Sequence, residues 1–152
     1  MRTTPPIACD MTDAPDTAEQ RVDEYQRLFA TAFVGRERTR SGVRWRLSAE
    51  PGVEAWARDL AARENACCAF MQNAITVVGD EVLWDASAID DPTARSVLDL
   101  FFELPDRAGA GVEALQAQFS EAGLPFVIEV DGAMRPATVE EFGTPTMPQS
   151  RC

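Results

Sequence analysis

Apolar residues recur at steps of three and four from Trp56 to Met71, the spacing that places side chains on one face of a helix. Glu64 falls within this apolar stripe, where an unpaired carboxylate is costly to bury. Cys67 and Cys68 are its i+3 and i+4 neighbours, so about one helical turn gathers one carboxylate and two thiols. We therefore expect Glu64 to be buried with its cysteines, and the rest of the chain to be arranged around this helix.

The same periodicity predicts three further helices. Each has a recognisable start or end signal, such as the capping-box spacing of Thr17 and Gln20 or the Asp91-Pro92 pair. These helices are expected from Asp16 or Thr17 to Gly35, from Asp91 to Pro105, and from Val112 to Gly123.

Strict alternation of apolar and basic residues predicts a strand over residues 43–47. Val43, Trp45 and Leu47 should face the core, and Arg44 and Arg46 should face water. The alternative interpretation is a patch that binds anions or nucleic acid, but a solvated strand face is the commoner origin of such a charge run.

Further strands are predicted at residues 74–78 and 82–84, joined by a Gly79-Asp80 turn, and at residues 126–130. The order favours an α+β fold, a ferredoxin-like β-α-β-β-α-β variant with an extra N-terminal helix and an extra helix before the last strand. The domains expected are an irregular leader (1–15), a single α+β domain (16–142) and a disordered tail (143–152). In the alternative, residues 104–142 form an appended arm.

The chain has 152 residues and a formal net charge of -11, which argues against general nucleic-acid or anionic-membrane binding. No apolar run approaches the roughly 20 residues of a membrane span, and Met1–Ala8 has no apolar core of signal-peptide length. We therefore expect a cytoplasmic protein that binds neither membranes nor nucleic acid directly.

Histidine and lysine are both missing, since all 14 basic residues are arginine. This composition excludes Ser-His-Asp and Cys-His catalysis, Cys/His zinc fingers, Schiff-base lysines and the P-loop lysine. No nucleotide or flavin signal is present. The chemistry left to the chain uses thiols, carboxylates, hydroxyls, arginine or backbone groups.

The four cysteines are Cys9, Cys67, Cys68 and Cys152, and none forms a CxxC pair. In a cytosolic chain of this size they are expected to be reduced. Thiols beside a carboxylate suit a soft ion such as Hg(II), As(III) or Cd(II), and Zn(II) held by three cysteines and a glutamate is also compatible. The competing interpretation is structural, because cysteine is a small apolar residue that is commonly buried.

Two segments carry a family resemblance. Ile7-Ala-Cys9-Asp, followed after an Arg-rich strand by Glu64-Asn-Ala-Cys-Cys-Ala-Phe70, resembles small bacterial proteins of mercury-resistance contexts. It is similar also to C-terminal parts of MerR-type regulators. The resemblance covers about residues 7–104 and implies that Cys9 belongs with Cys67 and Cys68. A homodimer or a complex with such a regulator is the partner expected.

Three functions stay open on the sequence alone. The favoured one is binding of a soft ion by Cys67, Cys68, Glu64 and Cys9. An organometal-cleaving enzyme would use two thiolates to hold the metal while Glu64 donates a proton. A thiolate is disfavoured near a helix C-terminus without histidine or lysine nearby, so binding is preferred over catalysis and no catalytic residue is assigned. The third is a purely structural or interaction domain.

The position of Cys9 discriminates between these functions. We expect the leader to dock across one end of the cysteine helix, because Ile7-Ala-Cys9 is its apolar patch. At the C-terminal end, three sulfurs and Glu64 would form a ligand set. At the other end, Cys9 would only fill the core.

Overall fold

The computed structural model describes residues 8–142. Helices are interspersed with pairs of strands along the described chain, and a short 3-10 turn, Ala108–Ala110, lies between the third and fourth helices. Among these residues, no helix has both the length and the apolarity needed to cross a membrane. The elements are α1 (Ala18–Ala32), β1 (Phe33–Arg38), β2 (Gly42–Ser48), α2 (Val53–Cys67), β3 (Met71–Val78), β4 (Glu81–Ala88), α3 (Pro92–Arg107), α4 (Val112–Glu121), β5 (Phe126–Ile128), β6 (Met134–Pro136) and α5 (Val139–Phe142).

Strands β1 to β4 form one antiparallel sheet in the order β1-β2-β4-β3. Strands β2 and β3 run parallel to each other, because both pair antiparallel with β4. Helix α2 connects β2 to β3 across the intervening strand β4. The predicted α+β class is confirmed. The exact ferredoxin-like order is not, because residues 126–128 pair with β6 in a separate two-stranded ribbon.

Strand β1 occupies the edge beside β2, and the sequence analysis missed it. Helix α1 begins as predicted, with Thr17 as N-cap in a capping box with Gln20. It ends at Ala32 and not at Gly35, which lies inside β1 opposite Arg46. The helical spacing of apolar residues continues to Phe33, so the sequence alone did not predict the change from helix to strand. Pairing with β2 satisfies the backbone N–H and C=O groups of this segment.

The alternation predicted for β2 is confirmed. Val43, Trp45 and Leu47 are fully buried, whereas the side chains of Arg44 and Arg46 remain about one-third exposed. Both arginines form ion pairs with acidic residues of the neighbouring strands, namely Glu37, Glu81 and Asp85.

Helix α3 begins at the predicted Asp91 cap but continues through Pro105 to Arg107, so the expectation that Pro105 ends it was wrong. Proline has no N–H to donate to the carbonyl four residues earlier, which is that of Phe101. The indole N–H of Trp45 donates to this carbonyl at 3.1 Å. The helix therefore survives because β2 supplies the missing donor.

The core lies between the sheet and the helices, where aromatic rings meet. The rings of Trp45 and Trp84, which are register partners on β2 and β4, lie 5.1 Å apart between centroids. Phe101 of α3 stacks on Trp45, and Tyr25 of α1 contacts both tryptophans. This packing fixes α1 and α3 against the sheet.

We call residues 105–142 the C-terminal arm. It packs on the same core, because Phe119, Phe126 and Met134 belong to the main cluster of buried side chains. The predicted strand at 126–130 is shorter, ending at Ile128, and β6 was not predicted. The expected disorder of the tail and the position of Ile7 lie outside the described residues.

Candidate metal centre

The C-terminal turn of α2 positions Glu64 and Cys67 on its buried face. The helix ends at Cys67, so the prediction of a helix continuing to Met71 was wrong. Cys68 is the C-cap, and its N–H still donates to the carbonyl of Glu64 at 3.0 Å. Ending the helix here turns the Cys68 side chain off the helical position, which brings its sulfur within 3.6 Å of the Cys67 sulfur.

Glu64 is buried as predicted, with 8% of its surface exposed. Its Oε1 accepts hydrogen bonds from the Tyr25 hydroxyl at 2.8 Å and from the Arg21 guanidinium at 3.0 Å. Its Oε2 faces the sulfurs, 3.4 Å from Cys68 Sγ and 4.0 Å from Cys67 Sγ. One carboxylate oxygen is thus held by protein donors while the other points at the thiol cluster.

Cys9 meets the cysteine helix at its C-terminal end. The N–H of Asp10 donates to the Cys67 carbonyl at 2.9 Å, and Cys9 and Cys68 form a backbone bridge with Cα atoms 4.3 Å apart. The expected proximity of Cys9 is confirmed. The expectation that these two cysteines are reduced was wrong, since Cys9 and Cys68 form a disulfide. The backbone bridge accounts for the disulfide, because it holds the side chains of Cys9 and Cys68 in contact.

Cys67 is the free cysteine of residues 8–142, and Cys152 lies outside them. Burial raises the pKa of the Cys67 thiol to about 12, and the nearby Glu64 carboxylate acts in the same direction. Arg21, whose NH1 lies 3.8 Å from the sulfur, opposes both effects. Cys67 is therefore a protonated thiol near neutral pH.

Arg21 is a site residue that the sequence analysis missed. It is 4% exposed and bridges two acids, with a bidentate pair to Asp16 at 2.6 and 2.9 Å and the contact to Glu64. Burial acts to raise the pKa of Asp16, but Arg21 and Arg63 outweigh it and the pKa is lowered. The test that singled out Glu64 would have found Arg21, because it too is a charge on an apolar helical stripe, one turn before Tyr25.

Arg63 links three acidic side chains next to the site. It contacts Asp16 at 2.8 Å, Glu24 at 2.8 Å and Asp59 at 2.6 Å. Because Asp16 accepts from both Arg21 and Arg63, it connects α1 and α2 through charge as well as packing. The orientation of Arg21 toward Glu64 follows from this network.

A cavity of about 60 Å³, which we call the thiol cavity, lies on the inner side of Cys67. Arg21, Tyr25 and Glu64 line its polar end. The remaining wall consists mainly of apolar side chains from α3 and the C-terminal arm, among them Leu104, Val112, Leu115, Phe119, Phe126 and Met134.

Glu64, Cys67 and Cys68 each offer a ligand atom, and these atoms lie within 4.8 Å of one another. All three residues are buried. In the disulfide form Cys68 has no thiolate to offer, and its contact with Glu64 involves no proton. Reduction would supply thiols from Cys9 and Cys68 next to that of Cys67.

No protein-family model matches this chain, and neither a curated protein nor a solved structure is significantly similar to it. The geometry of the site is therefore the basis on which function is proposed.

Proposed function

We propose that the reduced chain binds a soft metal or metalloid ion through Cys9, Cys67 and Cys68, with Glu64 as a fourth donor. The observation that supports this proposal best is the buried Glu64-Cys67-Cys68 group, whose ligand atoms lie within 4.8 Å of one another. The disulfide adds to it, because it brings the Cys9 sulfur to the same point.

The sulfur spacing suits a trigonal thiolate site. With metal–sulfur bonds of about 2.3 Å, three sulfurs around one ion lie roughly 4 Å apart. The Cys67 and Cys68 sulfurs are already 3.6 Å apart. Reduction would let the Cys9 sulfur move away from that of Cys68 to a similar distance.

Donor chemistry favours a thiophilic ion. Thiolates select soft ions, and the exclusion of water around buried donors strengthens each bond. Ion binding must displace the protons of the thiols, so affinity should rise with pH. Arg21 and Tyr25 hold Oε1 of Glu64, which leaves Oε2 to meet the ion. The resemblance to mercury-resistance proteins favours Hg(II) among the candidates.

The oxidation state controls this proposed activity. In the disulfide form two of the three sulfurs are bonded to each other, so a single thiol, Cys67, remains among the described cysteines. Inorganic ions should therefore bind to the reduced chain and not to the oxidised one. This dependence separates a metal site from three cysteines that merely fill the core.

The test is native mass spectrometry of the Cys152→Ser chain, with and without prior reduction, against Hg(II), Cd(II), Zn(II) and As(III). We expect one ion per reduced chain, no ion retained by the oxidised chain, and loss of the ion in Cys67→Ser. Glu64→Gln tests the fourth donor. If the reduced chain retains none of the four ions, the ion-binding proposal is rejected. The structural function, in which the cysteines only pack in the core, then remains.

The partner and the location follow from the same proposal. A cytoplasmic chain kept reduced would be ready to bind an ion, and a MerR-type regulator or a second copy of the chain would be its partner. Size-exclusion chromatography with light scattering, before and after ion addition, tests the dimer. A single mass under both conditions, equal to one chain, would exclude it.

A further inference from the structure

A site for a bare inorganic ion has no need of an apolar cavity. The thiol cavity therefore points to a ligand of another class. We propose that the site takes a soft metal ion carrying one small alkyl group, with Cys67 bound to the metal and the alkyl group in the thiol cavity. This inference deepens the proposed function, because it names the ligand of the same site.

The two parts of the thiol cavity next to Cys67 differ in chemistry. Within the thiol cavity, Glu64 and Arg21 line the polar end, and the remaining wall is built by apolar side chains such as Leu104, Val112 and Phe119. A bare ion seeks donors in every direction, and an apolar wall supplies none. A carbon substituent needs no donor and gains by leaving water.

The volume of the cavity limits the organic group. One water needs about 10–15 Å³ of such space, and an engineered apolar cavity of about 150 Å³ in another protein holds benzene. At about 60 Å³, the thiol cavity suits a methyl or ethyl group and is too small for a phenyl ring. The site should therefore discriminate by size.

Cys67 also lines a second space, whose other walls include exposed residues. An open groove of about 470 Å³ has Asp10, Arg63 and Cys67 in its lining. Cys67 thus borders both this groove and the thiol cavity. An alkylmetal cation would enter by the polar groove, and bond formation at the sulfur would leave its alkyl group next to the apolar wall.

The bond change is simple. The sulfur of Cys67 exchanges its proton for the metal of the cation, so one S–H bond breaks, one metal–sulfur bond forms, and the proton leaves to solvent. The metal–carbon bond stays intact and no oxidant is needed. Because one thiol suffices, the disulfide form can bind this ligand, whereas an inorganic ion needs the reduced form.

The experiment uses the oxidised Cys152→Ser chain, in which Cys67 is the free thiol. Ethylmercury and phenylmercury are titrated in competition with free cysteine, and retention is measured by native mass spectrometry. Val112→Phe fills the thiol cavity, and Val130→Phe, a fully exposed position of the same arm, is the matched control. We expect Val112→Phe to weaken ethylmercury binding about tenfold, the value of roughly two buried carbons, and Val130→Phe to leave it unchanged.

Two results would overturn the inference. One is equal retention of ethylmercury by all three chains, and the other is tighter binding of phenylmercury than of ethylmercury. If Val112→Phe does not fold, proton NMR of bound methylmercury decides, because the aromatic rings of Phe101, Phe119 and Phe126 should shift its methyl signal relative to that of methylmercury bound to free cysteine. An unshifted signal would place the methyl group outside the cavity.

The outcomes distinguish this inference from the proposed function. Retention of Hg(II) by the reduced chain without any effect of Val112→Phe on ethylmercury would support the ion site and reject the alkyl site. Cavity-dependent retention of ethylmercury without binding of inorganic ions would support the alkyl site and reject the ion site.

Discussion

Arg21 of α1 and Glu64 of α2 form a buried ion pair, with NH1 and Oε1 3.0 Å apart and 5% and 10% of the two side chains exposed. The residues are 43 positions apart in sequence. Their pairing makes it tolerable to bury a carboxylate beside three sulfurs, because each charge supplies the partner of the other.

Replacing Arg21 by methionine should cost about 3–5 kcal/mol of unfolding free energy, because Glu64 would stay buried without its charged partner and Asp16 would lose its bidentate pair. Urea unfolding of the oxidised protein measures this cost. Arg95→Met, at an arginine whose side chain is 57% exposed, is the control and should cost under about 1 kcal/mol. The double variant Arg21→Met, Glu64→Leu should recover the part of the loss that comes from the unpaired Glu64 carboxylate. A single variant as stable as the control would show that the pair does not compensate the buried charge.

Tyr25→Phe removes one hydrogen bond and leaves the ring in place. The hydroxyl donates to Oε1 of Glu64 at 2.8 Å, so its loss should cost about 1.5–3 kcal/mol, the usual value for a bond to a charged group. Thermal and urea unfolding report the change, and Tyr25→Leu, which also removes the ring, should cost more. Unchanged stability of Tyr25→Phe would mean that Arg21 alone satisfies Oε1.

Asp16 should make stability depend on acid pH. Its pKa is lowered on folding from an ordinary value of 3.8, mainly because Arg21 and Arg63 outweigh the effect of burial. A lowered folded pKa stabilises above the unfolded pKa, and this contribution is lost as pH falls through the folded value. Asp16→Asn should therefore be less stable by about 1–3 kcal/mol near pH 7. The difference from the wild-type chain should shrink as the pH falls below 3.8 and through the lowered folded pKa. Urea unfolding across this range checks it, and a constant difference would contradict it.

Breaking the Cys9–Cys68 disulfide should cost about 4 kcal/mol in unfolding free energy, the loop-closure estimate for cysteines 59 positions apart. The comparison is urea unfolding with and without reductant in the Cys152→Ser chain. The variant Cys9→Ala, Cys68→Ala should be insensitive to reductant. If the ion proposal is right, Cd(II) should restore stability to the reduced chain and not to this variant. Equal stability with and without reductant would contradict the prediction.

The site was predictable as far as local periodicity reaches. The burial of Glu64 followed from its place on an apolar stripe, and the meeting of Cys9 with Cys67 and Cys68 followed from docking of the leader and from the family resemblance. The partners of Glu64 did not follow, because Arg21 and Tyr25 approach it through the packing of two helices. The disulfide also went unpredicted, because the expected cytosolic location argues for thiols, whereas a backbone bridge between distant segments brings the two cysteines together.

The fold was predictable where signals are local, as at the Thr17 and Asp91 caps and the alternation of β2. It was not predictable where a distant partner decides. Pro105 reads as a helix end until Trp45 supplies the donor that keeps α3 intact. Strand β1 likewise exists because β2 is there to pair with it.

The contact of Tyr25 with Trp45 and Trp84 gives the candidate site an optical reporter. The Tyr25 ring lies 5.8 Å from each of these buried indoles, and its hydroxyl binds the same carboxylate that faces the sulfurs. A heavy atom arriving at Cys67 should therefore alter the intrinsic fluorescence of the chain. Trp56, whose indole N–H is bonded to Glu24, contributes a background that Trp56→Phe removes. Occupancy of the site can then be followed without any added label, by the light that the protein itself emits.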